Sequence, residues 1–166
     1  MLDALNRFRA LLSRALAAVA AASLAGMVAL ACANMALRFF GHPIDGAFEL
    51  MGFLGGLTAA LSLGYSQLHK GHIAVSLLSG KLPPALKRVL DALGHLGGAL
   101  FFLIGGWEVF KLADFLVMSG ELSETLRMPY HPFVYAAGVG CLVMGLVLIV
   151  DFLMALAGRD EEKLPA

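Results

Sequence analysis

Uncharged, mainly aliphatic runs recur along the chain, separated by short clusters of polar and charged residues. The first is Ala15 to Leu37, framed by Arg14 and Arg38. At about 1.5 Å per residue it is long enough to cross roughly 30 Å of hydrocarbon with some tilt. The second runs from about Leu50 to Leu68, between Glu49 and His69, and the last from about Tyr130 to Val150, ended by Asp151. Between them the strictly apolar stretch Ala92 to Trp107 is shorter and holds His95, yet no helix breaker lies between Pro84 and Met118. Pro84 suits a first helical turn, where its missing N–H costs nothing. The pattern therefore predicts one helix of about 35 residues, roughly 50 Å long, that must tilt steeply or project from a membrane. The fold expected is an all-α integral membrane protein. It forms a single membrane domain over 1–166 with four transmembrane helices, at about 15–37, 50–68, 88–110 and 130–150.

The connection 69–87 alternates apolar residues (Ile73, Val75, Leu77, Leu78, Leu82) with Lys70 and Lys81. Such a segment is expected to lie half buried in the interface, with its lysines toward anionic headgroups of membrane lipids. Pro83-Pro84 then turns the chain into the long third helix, and 151–166 forms a C-terminal tail. Basic residues set the orientation. One side of the four spans carries Arg7, Arg9, Arg14, Lys70, Lys81, Lys87, Arg88, Arg159 and Lys163, and the other only Arg38, Lys111 and Arg127. Both termini are therefore expected in the cytoplasm. The opposite loops are net acidic, with Asp45, Glu49, Glu108, Asp114, Glu121 and Glu124. Phe39, Phe40, Phe48, Trp107 and Tyr130 fall near those outer span ends, where aromatic rings prefer the headgroup boundary.

Composition agrees and narrows the function. Of the residues, 60% are hydrophobic and 14% charged, against about 25% charged in a soluble domain. Twelve Lys and Arg balance 12 Asp and Glu, so no basic excess exists to hold nucleic acid. After four spans nothing remains for a soluble catalytic domain. Cys32 and Cys141 stand alone, without the spacing of a zinc site or thiol redox motif. Arg7, Arg9 and Arg14 ahead of an alanine-rich stretch imitate a secretory leader, but the uncharged run exceeds an ordinary signal core of about 7 to 15 residues. It is read as a retained span.

Candidate chemistry is sparse. Pumps and coupled carriers hold ionisable groups in mid-membrane, whereas Glu49, Asp91, Glu108 and Asp151 all lie near span ends. Of the five histidines, His42 and His131 belong to the outer boundary, and His69, His72 and His95 to the inner side. A haem-binding membrane anchor or electron-transfer subunit would use an inner pair such as His72 with His95, and this is the alternative reading. His69-Lys70-Gly71-His72 lacks an acid or cysteine to complete a metal site, and no serine–histidine–acid grouping suggests an enzyme. No cofactor is expected. Small residues at four-residue spacing are the stronger signal, because they let helices approach closely in lipid. Ala18, Ala22 and Gly26, then Gly52 and Gly56, Gly94 and Gly98, and Ala137, Cys141 and Gly145 mark candidate packing faces. The outer loops, with Arg38, Asp45, Glu49, Glu121, Glu124 and Arg127, offer a rim where a soluble partner could dock.

Lys70-Gly71-His72-Ile73-Ala74-Val75, followed by Leu82-Pro83, resembles the Gly-His-Ile pattern of one family: the small, DctQ-like, four-helix membrane subunit of tripartite ATP-independent periplasmic (TRAP) transporters. Glu49 ahead of the second span, and Ser123 to Pro129 with Gly138, are similar to further positions of that family. Ser76 departs from it, standing where an aspartate is common, and Phe48-Glu49 replaces a tryptophan with paired acids. The resemblance implies a small scaffold subunit in a bacterial inner membrane. A large membrane transporter subunit would carry the substrate and sodium sites and move elevator-fashion. A periplasmic substrate-binding protein would deliver an organic acid. Glu49, Gly71, His72, Pro83 and Pro129 would then be structural positions, and the acidic rim would help dock the binding protein.

Overall fold

A computed structural model of the chain describes residues 2–69 and 84–156. Four helices account for nearly all of them: α1 (Leu2–Phe39), α2 (Ala47–Leu68), α3 (Pro84–Ser119) and α4 (His131–Leu156). The expected interfacial connection, with Lys70, Gly71, His72 and Pro83, lies outside the described residues, as does the tail beyond Leu156. No strand occurs among the described residues, where the one β-bridge is isolated and joins Leu122 to Pro129.

Local sequence explains the helix ends. Gly41, at φ 81°, ends α1: the His42 N–H donates to the Leu37 carbonyl and the Gly41 N–H to that of Arg38, a Schellman closure with a basic residue in the last turn. Pro43 follows and prevents continuation. Gly46, also left-handed, precedes α2, and Gly120, at φ 64°, follows α3. Pro84 opens α3 as expected, and Pro132 sits in the first turn of α4.

Three helices are long and apolar enough to cross a membrane: Leu5–Phe39, Ala47–Leu68 and His131–Leu156. α3, 36 residues long, is not among them. Asp91, His95, Glu108, Lys111 and Asp114 punctuate it, and its longest run free of Asp, Glu, Lys and Arg is 92–107. Two boundaries differ from the sequence reading. α1 begins well before Ala15, carrying Arg7, Arg9 and Arg14 inside one helix of 38 residues, and α4 runs past Asp151 to Leu156.

The helices stand in an open row in the spatial order α1, α2, α4, α3. α3 packs extensively only on α4, while α1 packs on α2 and reaches α4 through a small area. The centre of the row is thus α4: 44% of its most apolar stretch is buried, against 17% for α2 and 11% for α1. Ala99, Met144 and Leu148 form its core contact with α3, joined by Leu63 of α2 and Phe102.

Glycines of α4 set these spacings. A Cβ on Gly140 would collide with the Ala60 carbonyl of α2, a backbone that cannot swing aside. Gly138 and Gly145 face α3, where a Cβ would stand 3.0 Å from the Phe110 ring and 2.9 Å from Leu103. Gly98 of α3 meets Leu148 in the same way. Other candidate packing glycines make no such close approach among the described residues. Gly52, Gly56 and Gly94 have open space where a Cβ would be, and Gly26 only reaches ordinary contact with Leu54 at 3.9 Å. Ala18, Ala22 and Gly26 are exposed; the buried stripe of α1 is Ala10, Ser13, Ala20 and Ser23, one face further round.

Candidate functional site

Polar groups gather at the two ends of the row. At the loop end, the α3–α4 connection is folded onto the start of α2 by one carboxylate. Glu49 Oε1 accepts the Thr125 N–H at 2.6 Å and Oε2 the Leu126 N–H at 3.1 Å, charge-assisted bonds to otherwise unsatisfied backbone groups. Leu126 is thereby pressed over Gly46, where any side chain would clash with it. Ser123, buried, organises the loop from within. Its N–H donates to the Met128 carbonyl, its hydroxyl accepts the Met128 N–H, and its carbonyl accepts the Arg127 N–H. This turn holds Arg127 at φ 49° and pairs Leu122 with Pro129. The α1–α2 turn is fixed separately, by the Ile44 N–H donating to Asn34 Oδ1 at 2.9 Å.

An aromatic stack supports the rim: Phe53 lies parallel to both Tyr130 and Phe133, with centroids 6.0 and 4.9 Å apart. Burial, with a smaller contribution from neighbouring Glu121, pushes the Tyr130 phenol above its ordinary pKa. Arg38, Asp45, Glu121, Glu124 and Arg127 are exposed on this end. Together they make a net-acidic surface with a preformed backbone beneath it.

At the opposite end a second cluster ties three helices. Arg9 of α1 pairs with Asp151 of α4, both buried, and also donates to the Val147 carbonyl at 3.2 Å and to Asn6 Oδ1 at 2.7 Å. The other Asp151 oxygen accepts from Gln67 Nε2 of α2 at 3.1 Å. One turn along, a Cβ on Gly64 of α2 would meet both Ser13 of α1 and Val143 of α4, so the three helices converge there. A third polar group lies along α3, where Lys111 pairs with Glu108 at 2.7 Å and Tyr135 of α4 donates to Asp114.

Among the described residues no three His, Cys, Asp or Glu side chains converge to hold a metal ion. His42 and His69 are exposed and His131 half-buried, and His69 Nδ1 is 3.0 Å from the Tyr65 carbonyl of its own helix. The haem alternative requires His72, which lies outside the described residues. The bonds that define the two end clusters join one helix or loop to another, so the chemistry they perform is positioning.

The geometry has the form of a helical membrane component, and a family comparison is specific about which. The family model described as "Tripartite ATP-independent periplasmic transporters, DctQ component" matches residues 27–158. The chain belongs to the DctQ family. No curated protein and no solved structure matches it.

Within this DctQ-family chain the expected positions separate into distinct roles. Glu49 is engaged by the loop on both oxygens, so its carboxylate is a tether, while Arg38, Asp45, Glu121, Glu124 and Arg127 face outward. Pro129 closes the loop bridge. Gly71, His72 and Pro83 fall outside the described residues. The sequence reading missed the Arg9–Asp151–Gln67 cluster: Arg9 counted only as a basic residue on one side, and Asp151 only as the end of a span. The buried stripe Ala10, Ser13, Ala20, Ser23 in register with Arg9 is the signal that could have turned that side chain inward.

Proposed function

We propose that the chain is the small membrane subunit of a TRAP-type secondary transporter, acting as a scaffold that does not itself carry substrate. The observation that supports this best is the open row. Each polar cluster locks helices or loops together at one end, while the outer faces of α1 and α3 keep large apolar side chains exposed, among them Val28, Phe101 and Ile104. Such a layer widens and steadies a larger membrane protein rather than enclosing a path of its own.

In this reading α3 crosses the membrane as a fourth span, both termini lie in the cytoplasm, and the membrane is the bacterial inner membrane. A large subunit moves an organic acid, with sodium as the coupling cation, against the stationary support of this one. The net-acidic rim around Glu121, Glu124 and Asp45 faces the periplasm and helps receive the substrate-binding protein, where complementary charge speeds encounter more than it deepens affinity. The test is purification from the native membrane in mild detergent, followed by mass spectrometry of what accompanies the chain. A large polytopic membrane protein is expected. A haem- or quinone-linked partner with a Soret band in the purified material refutes the proposal.

A further inference from the structure

The outward side of α3 carries an exposed ion pair, Glu108 with Lys111, level with the apolar part of α4. Phe110 of α3 packs over Gly138 of α4, and Gly106 over Cys141 and Leu142, which fixes the relative height of the two helices. Glu108 between them and Lys111 just beyond Phe110 therefore stand beside about 137–140 of α4. α4 begins at His131 and continues apolar from there, so the pair lies about 10 Å below the start of its membrane-crossing stretch. Its side chains are 61% and 57% exposed, although paired with each other. They turn away from α4, on the same face as Leu93, Gly97, Ile104 and Phe115, while Ala92, Ala99, Gly106, Ala113 and Leu116 are the buried residues among those described in the helix.

Escape to the near interface is also hindered. Side chains of a helix lean toward its N-terminus, and the N-terminus of α3 lies at the far end of the row from its loop. Glu108 and Lys111 thus lean toward the middle of the layer, where the usual reach of a long side chain back to water works against its own geometry. Ionisable groups at this depth are found facing protein or water-filled cavities, not acyl chains. Gly140 of α4 meets Ala60 of α2, and Thr58 of α2 meets Ala20 of α1; the exposed face of α1 near that height shows no such charge, because Val19 and Leu24 are exposed and apolar, as lipid contact requires.

We infer that the Glu108–Lys111 face of α3 is the side covered by the large transporter subunit, through a helix that presents hydrogen-bonding groups opposite the ion pair and apolar side chains opposite Leu93, Gly97 and Ile104. The inference rests on the proposed function and assigns its contact face. Gly97, with open space where a Cβ would be, lets that helix approach.

The experiment uses the assembled transporter in its native membrane. A benzophenone side chain placed at Ile104 or Phe115 is expected to cross-link to the large subunit, whereas one at Val28 labels lipid. As an independent readout, Gly97→Trp is expected to lower recovery of the large subunit with this chain by about tenfold, with the amount of this chain in the membrane unchanged. Cross-links from Ile104 and Phe115 to lipid alone, or to a second copy of this chain, overturn the inference. Recovery of the large subunit at wild-type level with Gly97→Trp does the same. If the wild-type chain purifies with no large membrane protein, the proposed function falls and this assignment with it. If it purifies with one that cross-links only from α1, the face assignment alone is wrong.

Discussion

Replacing Asp151 by leucine removes the counter-ion of a buried guanidinium and tests whether the first and last helices are held by charge. In the structure the Arg9 and Asp151 side chains are 6% and 8% exposed, and the remaining Asp151 oxygen is taken by Gln67. Asp151→Leu leaves Arg9 with only the Val147 carbonyl, Asn6 and the Met154 sulfur. Breaking a buried pair from one side costs about 3–5 kcal/mol, because the surviving charge stays desolvated, and the lost Gln67 bond adds roughly 1 kcal/mol. The double replacement Arg9→Met with Asp151→Leu removes both charges and should return stability to within about 1–2 kcal/mol of the wild type. Equilibrium unfolding of the four proteins in mixed micelles gives the cycle, and a coupling of about 3 kcal/mol is expected. Additive single losses, or an Asp151→Leu cost below about 1 kcal/mol, would refute the view that these two residues act as one buried unit.

Other expectations follow from contacts at named positions. Gly140→Val should destabilise by about 1–3 kcal/mol through overpacking against the Ala60 backbone, while Gly52→Ala, in open space, should change unfolding by no more than about 1 kcal/mol. Glu49→Ala should free the α3–α4 loop, read as faster hydrogen exchange at the Thr125 and Leu126 amides with the helix cores unchanged; Glu49→Gln, able to accept one bond, should show an intermediate rate. Reversing charge with Glu121→Lys and Glu124→Lys should slow association of the soluble binding protein at low salt and leave it nearly unchanged near 1 M salt, where screening acts within about 3 Å. Stopped-flow mixing at two ionic strengths distinguishes this from a loss of rim structure, which salt would not restore.

The uncharged runs made three of the helices legible from the order of residues alone, and the absence of a breaker between Pro84 and Met118 gave α3 nearly to the residue. Hydrocarbon thickness is a strong ruler, so length and charge suffice for that much. Side-chain direction was harder. With 19 glycines and many alanines, small residues four apart occur on nearly every helix face. The choice among faces depends on neighbours that periodicity does not name, which is why Gly52 and Gly56 stood out and Gly140 did not. Arg9 and Asp151, 142 positions apart, each had an adequate local explanation as a charge at a membrane boundary. Only their meeting across three helices reveals the joint. Glu49 was visible as an acid ahead of a span, but its two amide partners come from a loop 76 and 77 residues away.

The spatial order α1, α2, α4, α3 also has a consequence for biosynthesis. The helix at the centre of the row is the last of the four to leave the ribosome. Until it does, the α1–α2 hairpin has Arg9 without Asp151, and α3 has no extensive neighbour at all. The half-finished chain therefore exists as two loosely related pieces, and α4 must enter between them to join both. Entry of α4 and the joining of the two pieces become nearly the same event, and a chain truncated before His131 would offer quality-control proteases two unjoined pieces instead of a smaller version of the whole.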